Sequence, residues 1–227
     1  MPQAAVGPAD IEALRYQWLP ETLMNATLTR RIAALLICLG AAAASWAHAD
    51  ETPDVLIQRL SGEVVASAHD QALDMARIMA LVDNTIMPNV DFVRMTSAAV
   101  GRSWRQATPE QQQRLQEEFK ALLVRTYAGT LSQLKDQTVQ VKPLRAGADD
   151  TEATVRTSVR GHGDPIQVDY RMQKSAAGWK IVDINVLGVW LVETYRGQFG
   201  AEISSRGIDG LIAALAERNK ANRTASR

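Results

Sequence analysis

An α+β fold is predicted for this chain, with helices gathered on one face of a four-stranded antiparallel sheet. Three features of the sequence predict it. Apolar residues recur at helical spacing from Leu56 to Leu134, the period shortens to two between Val139 and Met172, and four-residue spacing returns from Leu187. No internal repeat breaks that order, so a single domain accommodates it.

Fold reasoning starts after residue 49. Arg30-Arg31 leads into an uncharged stretch over residues 32–44, and Ala47-His48-Ala49 puts small residues at the two positions that a signal peptidase reads. A basic start, a short apolar run and Ala-x-Ala together describe a secretory signal peptide. The run falls short of the roughly 20 apolar residues that a membrane span needs. Residues 1–49 are therefore expected to be an N-terminal extension and signal peptide that is removed, with Met24 as an alternative start just upstream of the basic pair. Residues 50–216 then form the domain, and residues 217–227 a mobile polar tail.

Thr52-Pro53 opens the first helix with a capping oxygen and a proline at the first helical position, and Leu56, Leu60, Val64 and Ala68 make one stripe along it. A second helix is expected from about Gln71, where Met75, Met79, Val82 and Ile86 repeat before Pro88 stops it. Asn89 and Asp91 can cap a short third helix carrying Phe92, Met95 and Ala99. The strongest start follows at Thr108-Pro109-Glu110-Gln111, a capping box in which threonine and glutamine satisfy two otherwise orphan amides. From there Leu115, Phe119, Leu122, Leu123, Tyr127, Leu131 and Leu134 trace a wide apolar face.

After Asp136 the alternation is that of strands with one wet and one buried face. Val139 and Val141 begin it, Val155, Thr157 and Val159 continue it, and Ile166, Val168, Tyr170 and Met172 give its cleanest run. Residues 161–165 and 175–178 are turns rich in Gly, Pro and Ser. A fourth strand over residues 179–186 is apolar on both sides, so alternation does not assign its faces. Leu187, Leu191, Tyr195 and Phe199 then form a returning helix, and Ile208, Leu211, Ile212 and Leu215 a last short one.

Composition excludes several classes of function. The 227 residues carry 25 Lys plus Arg against 25 Asp plus Glu, a formal net charge of +0. A domain that coats nucleic acid needs a basic excess to displace counterions, so no nucleic-acid partner is expected. Apolar residues at 46% and charged residues at 22% exclude disorder of the whole chain. The one cysteine, Cys38, lies in the apolar run expected to be removed, which leaves no disulfide and no thiol nucleophile. His69 and His162 stand far apart with no second ligand at metal spacing, so neither a metal site nor a serine triad is expected. With no Gly-rich phosphate loop or paired-carboxylate motif, no cofactor is expected either. The residues point away from an enzyme and toward a container.

An ordered set of motifs runs through the chain: Asp91-Phe92, Gly101-Arg-Ser-Trp-Arg105, Ala107-Thr-Pro-Glu-Gln111, Leu123-Val-Arg-Thr-Tyr-Ala128, Gly178-Trp-Lys-Ile-Val-Asp183, Gly188-Val189, Thr194 through Phe199, and Gly207-Ile-Asp-Gly-Leu211. Taken in order over nearly all of residues 50–227, it resembles the MlaC family of periplasmic phospholipid carriers, also called toluene-tolerance auxiliary proteins. The resemblance implies a carrier in the periplasm that holds a phospholipid by its acyl chains. It also implies two partners, an inner-membrane ABC lipid transport complex and an outer-membrane lipoprotein complex, between which the lipid is shuttled. Burial of a methylene is worth about 0.8 kcal/mol, so a chain of about 16 carbons forfeits on the order of 12 kcal/mol in water, which is the physical case for a host.

A host for acyl chains is expected between the buried sheet face and the helix stripes. Val155, Val159, Ile166, Val168, Tyr170 and Met172 are expected to form its wall, Leu123, Tyr127 and Leu131 its roof, and Val189 and Trp190 its corner. Each of these is equally at home in a solid core. Met75, Met79 and Met95 suit either an adaptable cavity or irregular packing. Members of the resembled family usually show Gly-Val-Ser where this chain has Gly188-Val189-Trp190, so an indole stands at the expected pocket mouth or, alternatively, toward solvent or a partner. The rival reading is a small-molecule enzyme or sensor on a cone-shaped α+β scaffold, with a buried Asp169 or Asp183 as general base. A third is an interaction module with a solid core and no ligand.

Overall fold

The computed structural model describes residues 51–70, 74–132, 137–144, 150–161 and 163–225. Residues 1–50, with Cys38 and His48, the expected start of the second helix at Gln71, Leu134 and His162 lie outside the described residues. Among the described residues five helices pack with an antiparallel sheet, the α+β class that the periodicities predict.

Helix α1 spans Pro53–Asp70, and the Thr52 carbonyl accepts its first bond from the Leu56 N–H at 2.9 Å. Helix α2 is shorter than the methionine repeat predicts, Met75–Leu81, because the chain widens into a π-helical turn over Val82–Ile86 and then tightens over Met87–Asn89 with Pro88 in its first turn. Asp74 caps α2 by accepting the Arg77 N–H at 2.9 Å. Asp91, one of the two expected caps, does the same for α3 (Phe92–Val100) through the Arg94 N–H at 3.0 Å. Helix α4 runs over Pro109–Ser132, and its capping box closes as predicted: Thr108 Oγ1 accepts the Gln111 N–H and Gln111 Oε1 accepts the Thr108 N–H.

Strands β1 (Thr138–Val141), β2 (Glu152–Arg160), β3 (Ile166–Ser175), β4 (Gly178–Val186) and β5 (Val189–Trp190) pair in chain order. The sheet thus has five strands rather than four. The fifth arises because Val186 and Val189 pair across a two-residue turn, Leu187-Gly188, in which φ is +54 and +89. Positive φ at both central residues suits a tight hairpin to the strand twist. Asn185 Oδ1 accepts the Gly188 N–H at 2.8 Å and holds the turn.

Helix α5 joins the two last predicted helices, Leu191–Ala225, around a break at Gly207 (φ 72, ψ −174). Helical structure extends into the segment expected to be a mobile tail. There Asn219 is buried, and its Nδ2 donates to the Glu118 carbonyl at 2.9 Å and to Glu118 Oε2 at 2.8 Å. The core centres on Phe119 of α4, whose ring meets Phe92, Tyr195 and Phe199 at centroid distances of 4.9–5.7 Å. Two of the three contacts are edge-on, the arrangement that ring quadrupoles favour.

Candidate functional site

Register assigns the faces of the sheet. Val159 pairs with Ile166, Thr157 with Val168 and Val155 with Tyr170. On the other side Val168 pairs with Val186, Tyr170 with Ile184 and Met172 with Ile181. Directly paired residues share a face, so these side chains all lie on the side of the helices. A bulge at Val182 keeps that face continuous: without an extra residue between Ile181 and Ile184, one end of β4 would turn outward.

The shared face is void along one half and solid along the other. At the end near the β2–β3 turn, Val159, Ile166, Val168, Tyr170, Ile184 and Val186 line a cavity of about 370 Å³. That volume lies within the range of ligand sites, roughly 300–1,000 Å³. At the other end Val155, Met172, Ala153 and Trp179 pack into the central core, with Val155 and Met172 wholly buried.

Helices complete the wall. Ile57, Leu60, Val64 and Val65 of α1, then Lys120, Leu123, Val124, Tyr127 and Leu131 of α4, face the space at helical spacing. Between them Val82, Ile86, Met87 and Val90 close one side, and Phe92, Met95 and Leu191 reach it from α3 and α5. Val90 is held there because it bridges Ile181 in parallel and the Asp91 N–H bonds the Ile181 carbonyl at 2.9 Å. The widened turn over Val82–Ile86 therefore wraps the cavity instead of ending a straight helix.

Polar groups in the lining are few. Ser61, Thr130 and Gln137 supply neutral ones, and among the described residues Lys120 supplies the one charge, its Nζ 3.0 Å from Asp83 Oδ1. Burial pushes the Tyr170 phenol up to about 12 and also raises that of Tyr127, so both hydroxyls stay neutral in the physiological range. A mainly aliphatic chamber of this kind, its single lysine paired with Asp83, suits hydrocarbon.

Of the residues expected at the site, Leu123, Tyr127, Leu131, Val159, Ile166, Val168 and Tyr170 line the cavity. Four do not. Val155 and Met172 share the face but lie where helices pack directly against the sheet. Val189 shares the face by register, yet on the edge strand it stands half exposed outside the lining. Trp190 pairs with Asn185, which turns its indole to the opposite face, where Arg171 lies 4.3 Å from the ring centroid. The indole is therefore not at the pocket mouth. That place belongs to its neighbour Leu187, a lining residue that is 66% exposed. Among the ambiguous methionines, Met95 lines the cavity, while Met75 and Met79 flank a second small cluster of α2 and α4 built on Ile78 and Val124.

The two aspartates weighed as general bases lie away from the chamber. Asp169 accepts from Gln167 Nε2 at 3.1 and 3.2 Å on the outer face. Asp183 Oδ1 accepts the N–H groups of Ile184 and Val192, and Oδ2 meets Arg171 at 3.4 Å. Burial raises the Asp183 carboxyl above its ordinary value, against the pull of those bonds and of Arg171. Among the described residues no helix is long and apolar enough to cross a membrane, and no group of three His, Cys, Asp or Glu could hold a metal ion.

The model of the MlaC protein family matches residues 56–217, which include every cavity-lining element. The chain belongs to the MlaC family. Among solved structures it is similar to a phospholipid-binding protein of Ralstonia solanacearum determined in complex with a phospholipid. The two are 45% identical with a TM-score of 0.73 over 75% of this chain and 98% of that one. Among curated MlaC relatives, it is 32% identical to a toluene tolerance protein of Pseudomonas putida over 52% of this chain and 57% of that protein. It is 23% identical to the binding protein of an intermembrane phospholipid transport system of Haemophilus influenzae, over 74% of this chain and 83% of that one. The chain thus spans rather more than half of the first curated relative and most of the second.

Proposed function

We propose that this protein is a periplasmic phospholipid carrier, not an enzyme, which holds acyl chains in the cavity between sheet and helices. The observation that carries this reading is the chamber itself, about 370 Å³ of mainly aliphatic wall on a fold 45% identical to a phospholipid-bound relative. Leu123, Tyr127, Leu131, Val159, Ile166, Val168 and Tyr170 contact the chains, together with the α1 and Val82–Val90 residues that the sequence did not single out. On this reading residues 1–49 direct export and are removed. The loaded carrier moves lipid between an inner-membrane ABC complex and an outer-membrane lipoprotein complex; the name of the Haemophilus relative, the binding protein of an intermembrane phospholipid transport system, supports movement of phospholipid between membranes. Native mass spectrometry of protein recovered from the periplasm tests the core of it. A co-purifying phospholipid supports the carrier, a small polar ligand supports an enzyme or sensor, and an empty protein supports an interaction module.

A further inference from the structure

A second concave site lies where α3 ends and α5 begins. Ser97, Gly101, Arg102, Trp104, Arg105 and Arg196 line it, and none of them lines the apolar cavity. Gly101, at φ +71, ends α3 and turns the chain into a 3-10 helix over Gly101–Arg105. Side chains three residues apart eclipse in such a helix, so Arg102 and Arg105 project from one side of it. Gln112 Nε2 fixes the turn from α4 by donating to the Trp104 carbonyl at 2.9 Å. Arg196 comes from α5, with its Nε donating to the Ala98 carbonyl at 3.0 Å.

Three arginines thereby line the same notch as the half-buried Trp104. Among the described residues none of the three makes an ion pair, whereas Arg59, Arg114, Arg171 and Arg206 each meet a carboxylate. The chain carries no excess of cations, so this concentration of positive charge is local. Val93, 53% exposed, stands one helical turn before Ser97 and adds apolar surface beside the notch.

We propose that this notch is a docking site for an acidic segment of a partner protein. Guanidinium forks bind carboxylates in pairs of hydrogen bonds, and three that meet no carboxylate among the described residues leave that capacity open, Arg196 through the N–H groups other than the Nε bonded to Ala98. Arg and Trp are the residue types that dominate the energetic centres of protein interfaces. The surface is concave, which admits a protruding chain segment. The proposal rests on the carrier reading for its purpose, since a carrier must be recognised by proteins that load and unload it. Its separation from the cavity lets docking proceed without obstructing the lipid.

The test uses the full lipid-loaded protein and a short Glu-rich peptide free of tryptophan, with the Trp104 indole N–H followed by nuclear magnetic resonance. The peptide is expected to shift that resonance, to bind more weakly as salt rises, and to lose about tenfold or more in affinity to Arg102→Glu/Arg105→Glu. Should that variant fold poorly, Arg102→Gln/Arg105→Gln serves, with a smaller loss expected. An unmoved Trp104 resonance, undiminished affinity in the variants, or binding to phosphatidylglycerol vesicles in place of the peptide would overturn the proposal. Bound phosphorus measured on the same samples separates the two readings. Protein that retains lipid but ignores the peptide removes the docking site alone, and protein that never carries lipid removes the carrier.

Discussion

Asp183 on β4 accepts the Val192 N–H of α5 at 3.0 Å, so the strand that floors the cavity also caps the helix beside it. Val192 is the second residue of α5, a position whose amide has no partner within the helix. A carboxylate from a neighbouring strand satisfies it and offers negative charge to the positive end of the helix dipole. That bond, with the Leu187-Gly188 turn, fixes where Leu191 enters the cavity wall.

Asp183→Ala strands two partly buried N–H groups and the Arg171 contact, and it should cost about 1–3 kcal/mol in a urea unfolding measurement. Asp183→Asn keeps an acceptor for both amides and should cost less. Because burial raises the native carboxyl above its ordinary 3.8, the folded state holds the proton more tightly than the unfolded chain. The contribution of this group to stability therefore falls as pH rises from the ordinary value through the raised native one. Unfolding midpoints across that window should show Asp183→Asn with a less negative slope than the parent, and parallel slopes would contradict the assignment.

A charge placed in the chamber separates lining from non-lining positions on one sheet face. Val168→Glu puts a carboxylate where hydrocarbon lies, at a cost of several kcal/mol unless water or a proton enters with it. Bound phosphorus should drop steeply while circular dichroism stays near that of the parent. Val189→Glu, outside the lining, should leave phosphorus unchanged, and equal loss in both variants would move Val189 back into the pocket.

Trp190→Ser removes the stacking of Arg171 on the outer face, worth about 0.5–1 kcal/mol at an exposed site. Lipid content and the number of chains held should not change. A larger bound lipid would show instead that the indole narrows the cavity.

Gly207→Ala tests the break in α5. The added methyl group meets nothing within 4 Å, so its cost is the backbone strain of φ 72 and ψ −174, a region essentially confined to glycine, about 1–3 kcal/mol. Thermal melting should show that loss with lipid occupancy retained, since Gly207 is not a lining residue.

The sequence by itself determined the order and class of the elements, the Thr108–Gln111 capping box and which β2 and β3 residues share a face. These follow from forces that act within a few residues: hydrogen bonds to orphan amides, helical periodicity and the two-residue pleat. It also exposed the α4 stripe of Leu123, Tyr127 and Leu131. Only the tertiary structure decided which part of the apolar face stays open. Val155 and Val159 carry the same side chain on the same face of β2, yet one is wholly buried in the core and the other lines the chamber. The difference lies in how closely the facing helices approach, which depends on residues far away in sequence. The α1 stripe through Leu60 and Val64 was legible as a stripe, but nothing local said what it faced. The π-helical turn that brings Val82 and Ile86 to the wall left no periodic signal distinct from a continuing helix. Trp190 turned outward because Val186 and Val189 paired across a two-residue loop, and a register shift of one residue in such a hairpin exchanges the two faces.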